Sequence, residues 1–160
     1  MTDIMVEAAK LSIVIALLGT AVIYGTDVFC ALVQRPAMAA VDDRALVAAM
    51  GNVHRYGDRR MPAPGVIGIA AASTGAALAA GAGRYPEAIA AAIAVALLLF
   101  WLVLYLRISA PINRQLSAAA VAGDTPVNAR ALQQGWDRII NARALIQGAA
   151  VVALCAALVI

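Results

Sequence analysis

Residues 88–106 read AIAAAIAVALLLFWLVLYL, nineteen positions without one charged side chain. A hydrocarbon core needs about 20 apolar residues in a helix to cross it. Working outward, residues 61–83 are also free of charge, residues 144–160 likewise, and residues 11–34 contain a single charge, Asp27. No water is at hand in lipid to satisfy backbone N–H and C=O groups, so spans of this composition must be helices. The reading is an all-α chain in which four transmembrane helices form a bundle. The spans fall at about 11–34, 62–83, 87–107 and 141–160 of a single membrane domain covering 1–160.

Composition agrees. Of 160 residues, 64% are hydrophobic and 13% charged, whereas a soluble domain carries roughly 25% charge. Mean hydropathy is +0.87. This excludes a disordered chain, a disulfide scaffold and an ordinary soluble enzyme. The net charge of +3 is read as membrane topology, with no nucleic-acid partner. A signal peptide is the other reading of the first run, with Ala37-Met38-Ala39 as a cleavage site, but the apolar stretch exceeds an h-region of about 7–15 residues. It is expected to stay as a span.

The basic residues orient the chain. Arg35, Arg44, Arg55, Arg59 and Arg60 lie between the first two spans, and Arg107, Arg114, Arg130, Arg138 and Arg143 between or at the edges of the last two. Only Lys10 and Arg84 fall on the other side. The positive-inside bias predicts two basic cytoplasmic loops, with both termini outside a bacterial inner membrane. Those arginines also suit anionic lipid headgroups. Each loop is expected to contain a short amphipathic helix. Residues 42–54 form one, with Leu46, Met50 and Val53 on a face. Asp124-Thr125-Pro126 reads as an N-cap and N1 proline starting the other, which runs toward the fourth span near Asn141. Pro36 and Pro111 are expected to end the first and third helices, while Pro62, Pro64 and Pro86 open helices.

Small residues mark packing. Gly65, Gly68, Ala72, Gly75 and Ala79 repeat along the second span, and small side chains let helices approach closely in lipid. Phe100, Trp101 and Tyr105 sit near the cytoplasmic end of the third span, where interfacial anchoring and stacking on a ligand are both open readings. Cys30 and Cys155 belong to opposite leaflets on this topology, so no disulfide is expected. One histidine, His54, offers no metal-ligand spacing, and no metal is expected.

Polar residues at membrane depth carry the functional reading. Thr20, Tyr24, Asp27, Ala31 and Gln34 recur at spacings of one helical face. An ionisable group in a span faces the bundle interior and finds a partner. Asp27 is then either a structural ion-pair partner of Arg143 or Arg107, or a desolvated carboxylate acting as a general base. Trp136, Arg143 and Gln147 share a face of the fourth helix, with Asn141 pointing elsewhere. His54 is expected in a solvated loop.

The stretches Pro111-Ile112-Asn113-Arg114-Gln115-Leu116 and Trp136-Asp137-Arg138-Ile139-Ile140-Asn141-Ala142-Arg143 resemble the anthrone oxygenase-like family of small four-helix membrane proteins, and the likeness extends over nearly the whole chain. It implies oxidation of a lipophilic phenolic polycycle by O₂ without metal, flavin or other cofactor. Relatives often place a histidine just before the final arginine, where this chain has Ile140, Asn141 and Ala142. Asp27 or His54 is then the candidate base. Arg143, Arg114, Asn113 and Asn141 are candidates to hold an oxyanion, and Trp136 and Tyr24 to stack on the flat substrate. The alternative is a non-catalytic membrane subunit or lipid-binding scaffold, packed in a homo-oligomer or against a larger complex. An ion transporter fits poorly, with one intramembrane carboxylate and no broken helix.

Overall fold

The structure is a computed structural model describing Thr2 to Ile160, all helical with turns between. The helices are α1 (Thr2–Phe29), α2 (Arg35–Ala39), α3 (Asp43–Arg60), α4 (Pro62–Gly81), α5 (Tyr85–Leu104), α6 (Ala110–Ala122) and α7 (Ala129–Val159). Joined where they run on, they make four stretches long and apolar enough to cross a membrane: Thr2–Ala39, Asp43–Gly81, Tyr85–Ala122 and Ala129–Val159.

These stretches outrun the expected spans because two prolines fail to stop their helices. Proline has no N–H, and its ring collides with the carbonyl four residues back, so a regular helix breaks there. Here a π-helical turn precedes each one: Cys30–Gln34 before Pro36, and Tyr105–Ser109 before Pro111. The Arg35 N–H donates to the Cys30 carbonyl and the Ala110 N–H to that of Tyr105, each five residues back. The inserted residue widens the turn and lets the chain continue past the proline.

The chain divides into two compact units. The first contains residues up to Gly25, Ala63–Trp101 and Leu145–Ile160. Its core draws on four helices: Ile13 and Ala16 of α1, Ala72 of α4, Ala91 and Ala94 of α5, and Leu154 and Ala157 of α7. The small-residue stripe of α4 is used up here. A Cβ on Gly19 of α1 would stand 2.7 Å from the Pro64 carbonyl oxygen, so glycine at that position lets two backbones touch. Gly68, Ala72, Gly75 and Ala79 are all buried. The outside of this unit is apolar instead, with Leu11, Leu18, Val66, Ile89, Ile93 and Val152 exposed.

The second unit contains Thr26–Pro62 and Leu102–Ala144. Its core joins Leu46, Val47 and Met50 of α3 to Leu116 and Ala119 of α6 and Ala129 of α7. Asp42, not the helix interior, caps α3, accepting from the Ala45 N–H at 2.7 Å. A Cβ on Gly51 would lie 2.4 Å from the Leu116 carbonyl oxygen and from Ala120 Cβ, so α3 and α6 meet at glycine contact. Arg130 pins the turn before α3 to the start of α7, donating to Asp43 at 2.9 Å and to the carbonyls of Met38 and Val41 at 2.9 and 2.8 Å.

Several boundaries depart from expectation. The helix expected at 42–54 runs to Arg60, and its Val53 is exposed while Val47, Gly51 and His54 join Leu46 and Met50 on the buried face. The last helix begins at Ala129 rather than at Pro126 or Asn141. Thr125 N–H donates to Asp124 Oδ1 and Ala129 N–H to the Pro126 carbonyl, a local turn that competes with helix at the intended cap.

Candidate functional site

The interior of the second unit holds a buried polar cluster, and the two π-helical turns supply part of it. Asp27 lies at the end of α1, one turn before the first. Tyr105 and Ser109 belong to the second, and Asn113 continues the same face one turn later. From α7 come Gln133, Trp136 and Arg143, at helical spacings of three and seven, and from α3 come His54 and Asp58.

Arg143 is the hub. Its Nη2 donates to Asp27 Oδ1 at 2.6 Å and its Nη1 to Ser109 Oγ at 2.8 Å, with the two charged side chains only 7% and 3% exposed. Its guanidinium carbon lies 5.5 Å from the Trp136 ring centre and 5.7 Å from that of Tyr105. Desolvating a guanidinium is expensive unless it is paired and hydrogen-bonded. The carboxylate, the hydroxyl and two ring faces meet that requirement. Asp27 therefore serves as the counter-ion of Arg143, and Arg107, the other candidate partner, is exposed.

A second branch passes through Tyr105. Its hydroxyl donates to Asp58 Oδ1 at 2.8 Å, and Asn113 Nδ2 donates to the same oxygen at 2.8 Å. A third branch is aromatic. The His54 ring packs at 5.6 Å from Trp136, tilted by 49°. His54 is 5% exposed, contrary to the expectation of a solvated loop, because α3 extends past it and turns it inward with Met50.

Buried atoms of this interior with no hydrogen-bond partner among the described protein groups include His54 Nε2, Trp136 Nε1, Asn113 Oδ1 and Gln133 Oε1. An orphaned polar atom in a protein interior is unfavourable. The set offers one indole donor, two amide acceptors and one imidazole nitrogen, together with two aromatic faces and a fixed cation.

Of the residues singled out in the sequence, Asp27, His54, Asn113, Trp136 and Arg143 belong to this cluster. Arg114 and Asn141 do not, since both are exposed on the outer faces of α6 and α7. Tyr24 belongs to the first unit, where a Cβ on Gly148 would meet its ring at 3.1 Å. Asp58, Ser109 and Gln133 were missed. Asp58 continues the four-residue rhythm Leu46, Met50, His54, and Ser109 stands midway between Tyr105 and Asn113, signals visible only once both helices are extended. Among the described residues no three His, Cys, Asp or Glu side chains gather as metal ligands, and both cysteines are free.

No protein family, curated protein or solved structure matches the chain.

Proposed function

We propose that this chain is a multi-pass membrane protein that oxidises a lipophilic phenolic polycycle of the anthrone type with O₂ at the His54–Trp136–Arg143 cluster. Insertion is supported by the layout of the first unit, with many small residues inside and large apolar ones exposed outside, since exposed apolar patches of this extent call for a nonaqueous neighbour. Orientation is supported by the charges. Ten of the twelve basic residues belong to the second unit and two to the first, which favours cytoplasmic loops in the second and termini outside, in a bacterial inner membrane.

The observation that carries the chemistry is the buried imidazole of His54, whose Nε2 has no partner among the described protein groups, against Trp136 and in one cluster with a desolvated cation. His54 Nε2 takes a proton from the activated ring CH₂, leaving an electron-rich enolate. Arg143 and the Trp136 N–H hold the enolate oxygen. The enolate passes electrons to O₂, and one oxygen atom joins the ring carbon. Loss of its second hydrogen gives the quinone, and the other oxygen atom leaves as water. Asp27 fixes Arg143 rather than accepting the proton, because its carboxylate is already engaged by the guanidinium.

The test is oxygen uptake by the purified protein in lipid nanodiscs with a hydroxyanthrone. Uptake should exceed the spontaneous rate, and His54→Gln should lower the excess by about 10²-fold, the usual loss on removing a general base. A wild-type rate equal to the spontaneous one would sink the proposal.

A further inference from the structure

The first unit contains a cavity of about 230 Å³ that the proposed oxidation does not use. It opens where α1, α4, α5 and α7 come together at the end bearing Lys10 and Arg84. The helices there meet through alanines, Ala9, Ala79 and Ala88, whose methyl groups fill little of the space between them. Ile13, Ala157 and Leu158 complete the apolar wall, and the polar lining is Lys10, Arg84 and Glu87.

Those cations are only partly committed. Arg84 is paired to Glu87 through both Nε and Nη2, and Nη2 also donates to the Ile160 carbonyl at 3.3 Å, while its side chain stays 51% exposed. Lys10 is paired to Glu7, itself 73% exposed, and such surface pairs exchange readily for a better anion. A size argument bounds the ligand. A cavity of about 150 Å³ accepts benzene, and drug-sized ligands take roughly 300 Å³ or more. We propose that this cavity binds an anionic amphiphile, with a body the size of a single ring or short acyl chain seated among the alanines and its carboxylate or phosphate against Lys10 and Arg84.

Two sources share that chemistry, a free organic acid and an anionic phospholipid. Octanoate is the probe, titrated calorimetrically into the full-length protein in uncharged detergent, with octanol as the uncharged analogue. Saturable binding of octanoate, at least tenfold tighter than octanol, is expected. Lys10→Gln, at an exposed position, should weaken octanoate by about tenfold, and Ala79→Leu or the half-buried Leu158→Trp should abolish it. Repeating the titration in nanodiscs separates the sources. Octanoate excluded by phosphatidylglycerol but not by phosphatidylcholine identifies the lipid, and equal binding in both identifies the free acid. No saturable binding, octanol binding as tightly as octanoate, or full binding by folded Leu158→Trp overturns the proposal.

Discussion

Removing the Asp27 carboxylate isolates a buried positive charge, and the size of the effect follows from the site. Both members of the Asp27–Arg143 pair are nearly inaccessible and joined at 2.6 Å, so solvent cannot take the place of the lost partner. Breaking a buried pair from one side destabilises by about 3–5 kcal/mol. For a protein of this length that is a fall of roughly 6–20 °C in Tm. Asp27→Ala should reach this range. Asp27→Asn should fall short of it, because the amide oxygen still accepts from Nη2. The decisive variant is the double one. Asp27→Leu with Arg143→Met removes both charges and replaces them with apolar bulk, a change that is often neutral in such sites. Its stability should exceed the sum of the single effects by roughly 2–3 kcal/mol. Thermal unfolding followed by circular dichroism in one detergent suffices. Additive single effects would show that the two residues stabilise the protein independently, and the counter-ion role of Asp27 would have to be abandoned.

Other consequences follow from the same geometry. Gly51→Val should destabilise by about 1–3 kcal/mol, since its Cβ would meet the Leu116 carbonyl oxygen, whereas Gly57→Ala, with open space around it, should be neutral or stabilising in a urea titration. Finally, with Cys30 and Cys155 changed to Ala, a cysteine at Asp124 should resist an impermeant thiol reagent in intact cells and one at Asp3 should react. The reverse labelling would invert the topology.

The helices were legible in the sequence because three uncharged runs, and a fourth with Asp27 as its one charge, are each long and apolar enough for a spanning helix. Their ends were not. Pro36 and Pro111 read as stops, and only a widened turn, which no local residue type announces, carries the chain past them. Asp27 and Arg143 were legible as a pair because each is a charge in or beside an apolar run. His54 was misjudged because it is flanked by Arg55 and by charged residues up to Arg60, and charge density says little about which way one face of a helix points. The period of α3 held that information. Extended past residue 54, the rhythm of Leu46, Met50 and His54 leads directly to Asp58 and so to Tyr105 and Asn113.

In the proposed chemistry, O₂ itself is the oxidant at the His54 cluster. Single-turnover oxidation of a hydroxyanthrone under heavy-oxygen-labelled O₂, with the purified protein in nanodiscs and the product read by mass spectrometry, tests it most directly. The account predicts one labelled oxygen atom in each quinone formed above the spontaneous background, with that excess nearly abolished by His54→Gln. Unlabelled quinone, or labelled quinone formed equally well by a folded His54→Gln protein, would contradict it.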